Sequence, residues 1–154
     1  MKILVVSDTH HYNKAMIFAI ESEVPDIIIH LGNDVPDCEE ISLAYPDIPL
    51  HVVKGNGDSG SAPVSDEFLL AGKRFFITHG HLFRVKSSLT NLISEAQNRQ
   101  VDICLFGHTH LSYHSHIDGI LFVNPGSAGI SGQNYAVLDI KDGIVNCFLR
   151  SALN

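Results

Sequence analysis

Five apolar runs in this chain each end in residues of the kind that hold metal ions. Lys2 to Val6 runs into Ser7-Asp8-Thr9-His10, Asp26 to Leu31 into Gly32-Asn33-Asp34, and His51 to Lys54 into Gly55-Asn56-Gly57-Asp58. Arg74 to Thr78 leads to His79-Gly80-His81, and Asp102 to Phe106 to Gly107-His108-Thr109-His110. Short runs rich in Val, Ile, Leu and Phe and bounded by Gly and Asn read as buried strands. Residues i and i+2 leaving a strand end can turn two imidazoles into one cleft. In open α/β sheets ligand sites form outside the carboxyl ends of the strands, where all five clusters fall. The pattern therefore constrains fold and site together.

Between the runs the chain alternates. Asn13 to Ser22 carries Ala15, Ile17, Phe18 and Ala19 at helical spacing, and Asp37 to Ala44 is a short helix closed by Pro46. Ser59 to Ser65 is a loop of Ser, Gly and Pro, and Glu67 to Leu70 pairs with Arg74 to Thr78 as a hairpin through Ala71-Gly72-Lys73. Val85 to Arg99 is predicted to be one long helix, with Leu89, Leu92, Ile93 and Ala96 on its apolar face. The last third reads as antiparallel strands, Tyr113 to Ile117, Ile120 to Val123, Tyr135 to Ile140 and Ile144 to Leu149, with turns at Asp118-Gly119 and Asp142-Gly143. A βα front half and a hairpin back half suit an α/β fold of two packed mixed sheets with helices on the outer faces.

Composition bounds the rest. With 154 residues, 45% of them hydrophobic, the chain suffices for a single domain, 1–154. The net charge is −7 and the ten Lys and Arg residues are scattered, so no general nucleic-acid-binding patch is expected. Cys38, Cys104 and Cys147 form no CxxC pair and read as reduced core residues of a cytosolic protein. There is no signal-peptide pattern and no run long enough to span a bilayer, so a cytoplasmic protein without membrane association is expected.

Carboxylate, amide and imidazole ligands without thiolate point to a hydrolytic centre of the Mn²⁺, Fe or Zn²⁺ kind rather than a structural zinc site. There are more ligands than one ion needs. Two ions could clamp a phosphoryl oxygen and lower the pKa of a bridging water into the neutral range.

The order Asp8-x-His10, Gly32-Asn33, Gly55-Asn56-x-Asp58, His79-Gly80-His81 and Gly107-His108-x-His110 resembles the calcineurin-like metallophosphoesterase superfamily along the whole chain. The small size and Asn124-Pro125-Gly126-Ser127 resemble its small bacterial and archaeal phosphodiesterase branch, which also contains the retromer subunit. The resemblance implies a four-layer α/β/β/α sandwich in which Asp8, His10 and His110 hold one ion and Asn56, His79 and His108 the other. A bridging carboxylate would follow the glycine of the second motif. That position is Asn33, a neutral amide with one oxygen to offer; the retromer subunit resembles the chain in this and is regarded as a scaffold. Asp34 is the alternative bridge, although neighbours on an extended segment point opposite ways. Many superfamily members carry a proton-donating His where this chain has Gly57, leaving His11 and His81 as candidate substitutes.

Other polar residues have plainer readings. Asp58 holds its loop, His30 is a packed or hydrogen-bonded core histidine, and His51, His114 and His116 lie on strands or the surface. Gly126 and Ser127 are either a simple turn or an anion nest that binds phosphate. The expectation is a metal-dependent phosphodiesterase acting on a small phosphodiester through a metal-bound hydroxide at a two-metal centre. Mn²⁺ is the expected ion, with Ni²⁺, Co²⁺, Fe²⁺ or Zn²⁺ as alternatives. A catalytically weak or inactive scaffold for protein interactions is the rival, a phosphomonoesterase or nucleotidase ranks below diester hydrolysis, and a homo-oligomer is a further possibility.

Overall fold

The computed structural model describes residues 1–153. Its ten strands form two mixed sheets of five, and three α-helices cover the outer faces. The first sheet has the order β10-β9-β1-β2-β3, from Ile144–Ser151, Asn134–Lys141, Lys2–Val6, Ile27–His30 and Leu50–Val52. The second has the order β4-β5-β6-β8-β7, from Ser65–Leu70, Lys73–Thr78, Ile103–Leu105, Ile120–Pro125 and Ser112–Ile117.

Strand periodicity builds the layers. Alternate residues face opposite sides of a sheet. Ile3, Val5, Ile27 and Ile29 thus point inward to meet Phe75, Ile77, Ile103, Leu105, Leu121 and Val123 from the other sheet. On the opposite face Leu4, Val6 and Ile28 receive Ala15, Met16, Ala19 and Ile20 of α1 (Lys14–Glu23) and Ile41 of α2 (Val35–Ala44). Phe76, Cys104 and Phe122 turn outward onto Leu92 and Ala96 of α3 (Thr90–Arg99). The expected four-layer sandwich is therefore the fold, and no helix among the described residues is long and apolar enough to cross a membrane.

Two expectations need correction. The helix predicted over Val85 to Arg99 begins only at Thr90. A short 3₁₀ turn, His81–Phe83, ends at Arg84 in the left-handed region, and Val85 is buried from a turn rather than from a helical face. Ser87 and Ser88 follow, residues whose side chains compete with helical bonding; the Ser88 Oγ accepts the Thr90 N–H at 3.4 Å. The back half is also not simply antiparallel. The β7–β8 hairpin enters the second sheet with β8 parallel to β6, whereas the β9–β10 hairpin crosses to the first sheet with β9 antiparallel to β1. Both turn signals hold: Asp118-Gly119 and Asp142-Gly143 have positive φ at both residues, the conformation that tight hairpins require.

Candidate metal centre

Asp8 is the hub. It follows β1, is fully buried, and presents its two carboxylate oxygens to different neighbours. Oδ2 accepts the Ser7 hydroxyl at 2.7 Å and the His108 backbone N–H at 3.1 Å. Oδ1 faces three imidazoles, with His110 Nε2 at 3.3 Å, His10 Nε2 at 3.5 Å and His79 Nε2 at 3.7 Å. The Ser127 hydroxyl donates to the Asp8 carbonyl at 2.9 Å and fixes the backbone there.

The residues around this hub fall into two groups. His10 and His110 lie on one side with ring centroids 5.4 Å apart, and the ligand atoms of Asp8, His10 and His110 are all within 4.8 Å of one another. On the other side His79 and His108 are 5.0 Å apart, and His81 stands 5.5 Å from His79. Asn33 reaches between the groups, its Nδ2 3.1 Å from Asn56 Oδ1, 3.3 Å from His79 Nε2 and 3.5 Å from Asp8 Oδ1. All seven sequence-predicted ligands thus converge.

The backbone is bent to achieve this. Asp8, His10, His11, Asn33, His108 and His110 all have φ in the left-handed region, which costs a residue with a side chain about 1 kcal/mol and persists only where surrounding structure enforces it. Gly32 shows how tightly the strand ends approach. Its φ is +104°, and a Cβ there would lie 2.6 Å from the Gly55 nitrogen, so Gly32→Ala should destabilise the protein by about 3 kcal/mol or more. Urea unfolding checks this; a loss below about 1 kcal/mol would mean that the two loops separate easily.

The electrostatics favour the neutral imidazole at His79, His81 and His108. Burial holds His79 below its ordinary pKa against the pull of Asp8, and its Nδ1 lies 2.7 Å from the Leu31 carbonyl. A carbonyl only accepts, so Nδ1 carries the proton and Nε2 offers its lone pair to the cluster. Burial, with His79 and Lys86 nearby, brings His108 down to about 4. Burial also lowers His81, whose buried Nδ1 has no hydrogen-bond partner among the described residues.

The carboxylate and imidazoles of Asp8, His10 and His110 fit one divalent ion: bonds of about 2.1 Å place ligand atoms roughly 3 to 4.2 Å apart, and nitrogen with oxygen suits Mn²⁺, Fe²⁺ or Zn²⁺. The second group has the right donors but an amide nitrogen among them.

Several residues take other places than the sequence suggested. Asp34 does not face the hub; its carboxylate pairs with His11 Nδ1 at 2.6 Å and its N–H donates to Thr9 Oγ1 at 3.1 Å. Of the two backbone amides expected in a turn or an anion nest, that of Gly126 is already engaged. The Gly126 N–H donates to Asn124 Oδ1 at 2.9 Å, and the Ser127 hydroxyl donates to the Asp8 carbonyl, so the Ser127 side chain helps to position the hub. Asp58 holds its loop as expected, accepting the N–H groups of Asn33, Gly55 and Val35 at 2.8, 2.8 and 3.0 Å. Those bonds outweigh its burial and keep its carboxyl below the usual range. His30 is fully buried and bonded, and His51 stacks on Phe68 at 4.2 Å.

Three contributors were not singled out in the sequence. Ser7 holds Asp8, and Thr9 donates to Asp37 Oδ2 at 2.5 Å beneath the Asn33 loop. Lys86 lines a groove with Val85, Leu89, Phe106, Leu111 and Tyr113 beside the His108 loop. The Ser7-Asp8 pair hinted at the first, since a hydroxyl next to a metal-ligating type of carboxylate commonly orients it; the roles of Thr9 and Lys86 had no local signal.

A buried carboxylate ringed by imidazoles thus lies at the carboxyl ends of strands from both sheets of an α/β sandwich, a donor set of the kind that can hold a divalent ion. The chain belongs to the calcineurin-like phosphoesterase superfamily, whose domain model matches residues 1–143. A probable metallophosphoesterase of Bacillus subtilis, YsnB, is 34% identical over 152 residues, 92% of this chain and 86% of that protein. Vacuolar protein sorting-associated protein 29 of Schizosaccharomyces pombe is 31% identical over 157 residues, covering 97% of this chain and 83% of its own. A solved structure from Streptococcus pneumoniae, described as a predicted phosphoesterase, superposes with a TM-score of 0.80 at 29% identity over 97% of this chain and 88% of that one.

Proposed function

We propose that this chain is a metal-dependent phosphodiesterase acting on small phosphodiesters. The observation that carries the reading is the buried Asp8 carboxylate with three imidazole Nε2 atoms within 3.7 Å of it. Asp8, His10 and His110 would hold one divalent ion and Asn56, His79 and His108 a second, with Mn²⁺ the expected metal and Ni²⁺, Co²⁺, Fe²⁺ or Zn²⁺ also matching the donors. Bound there, the ions would supply an acidified water as nucleophile and neutralise the phosphoryl oxygens. His10 and His110 are about half exposed and open the cluster to substrate, while Ser7, Ser127 and the His108 N–H keep Asp8 from moving as charge develops. His11, tethered by Asp34, and His81 are the candidate groups to hand a proton to the leaving alkoxide. The groove beside His108 suits an apolar ester group, and its single cation, Lys86, suits the one negative charge of a diester better than a terminal phosphate dianion. Three free cysteines support work in the reducing cytoplasm.

The test is hydrolysis of bis-para-nitrophenyl phosphate by chelator-stripped protein, with Mn²⁺, Ni²⁺, Co²⁺, Zn²⁺ or Mg²⁺ restored one at a time. Stripped protein should be inactive and Mn²⁺ should restore turnover. A rate indifferent to every metal would reject the reading and favour the scaffold alternative, which the Asn33 amide at the bridging place supports.

A further inference from the structure

Asn33 has a side chain with two chemically different ends, and the fold dictates which end faces the cluster. Its carboxamide lies in a slot left by two glycines: a Cβ on Gly55 would come 2.2 Å from Asn33 Oδ1, and one on Gly57 would come 3.2 Å from it. In the slot the Gly57 N–H donates to Oδ1 at 3.0 Å. A backbone N–H can only donate, so the amide nitrogen cannot take that position. The main chain is fixed as well, because the Asn33 N–H donates to Asp58 at 2.8 Å. Nδ2 is thereby aimed at Asn56 Oδ1 and at the bare Nε2 of His79, 3.1 and 3.3 Å away, with Asp8 Oδ1 just beyond at 3.5 Å. All three are acceptors, and an amide nitrogen offers them protons but has no lone pair for a cation.

We propose that the Asn33 carboxamide stands in for the second cation, so that the chain binds one divalent ion tightly at Asp8, His10 and His110 and admits another only when the amide leaves its slot. The proposal deepens the phosphodiesterase reading and rests on it for the placing of the metal centre. A carboxylate at position 33 could satisfy Gly57 with one oxygen and an ion with the other. The amide must give up one of these partners. Breaking its bonds to Gly57, Asn56 and His79 should weaken the second ion by on the order of 10²-fold relative to a carboxylate at the same place.

Stripped protein titrated with Mn²⁺, by calorimetry and equilibrium dialysis, tests this, with electron paramagnetic resonance to separate isolated from spin-coupled ions. Wild type should take one tight equivalent with the signal of an isolated ion, and His110→Ala should lose it. Asn33→Asp should take two equivalents and show a coupled pair. Asn33→Ala, which removes the amide without adding charge, should bind the second ion about 10-fold more tightly than wild type and guards against a misfolded Asn33→Asp. Two equivalents of similar affinity in wild type, or an unchanged second affinity in both position-33 variants, would overturn the proposal. If Asn33→Asp binds two ions and neither protein cleaves the diester, the inference about Asn33 stands and the hydrolase reading falls.

Discussion

Asp8→Asn should abolish metal binding and lower diester turnover by at least about 10³-fold, equivalent to roughly 4 kcal/mol of transition-state stabilisation, while leaving the fold intact. The replacement is isosteric. With its oxygen in the Oδ2 position it still accepts the Ser7 hydroxyl and the His108 N–H. Its NH₂ then lies where Oδ1 faces His10, His79 and His110, and can donate to an imidazole lone pair. The site keeps its shape and loses its anionic ligand. Calorimetric Mn²⁺ titration, diesterase rates and a thermal melt read the three parts separately; a variant that folds and keeps a tenth of wild-type turnover would remove Asp8 from the centre of the chemistry.

Stability should fall steeply as pH drops from about 6.5 toward 4, with His30 contributing up to about 3 kcal/mol of the loss. His30 is fully buried, and burial lowers its pKa to about 4 despite the nearby Asp8 and Asp37. Its Nδ1 accepts the Gly32 N–H at 3.0 Å, and its Nε2 lies 3.2 Å from the Thr9 hydroxyl. A second proton would have to sit on Nδ1, against a donor. Between the two pKa values the unfolded chain binds this proton and the folded chain does not, so acid favours unfolding. Above the unfolded value the penalty disappears. His108, also lowered to about 4, acts in the same window, whereas the depressed Asp58 adds its loss only as the pH falls below its ordinary value near 3.8. Urea unfolding at stepped pH should therefore show a shallower acid slope for His30→Asn, which keeps an acceptor for Gly32 but does not titrate; equal slopes would mean that other groups dominate.

Much of this was written in local sequence. The strand ends were legible because continuous apolar runs stop abruptly at Ser, Gly or His, and those stops are the loops that carry the candidate ligands. The start of α3 was not, because Val85 satisfies an apolar position from a turn as well as from a helix, and the competing Ser87 and Ser88 carry no hydrophobic signal. The parallel pairing of β8 with β6 is a choice among distant partners that no local pattern encodes. In the centre, residue types announced Asp8 and the histidines. What Asn33, Asp34, Gly126 and Ser127 do depends on which hydrogen-bond partner each finds, and those partners are mostly far away in the chain, Asp8 and Ser127 being 119 residues apart.

The candidate ligands are shared between layers. Asp8, His10, Asn33 and Asn56 leave strands of the first sheet, whereas His79, His108 and His110 leave strands of the second. An ion bound between Asp8 and His110 is therefore a rivet through the seam of the sandwich, and prising the sheets apart means pulling it out. By mass action such an ion adds about 2.7 kcal/mol to the work of unfolding at a hundred times its dissociation constant. Cellular metal supply would then govern how long the molecule survives heat and proteases, quite apart from how fast it turns over.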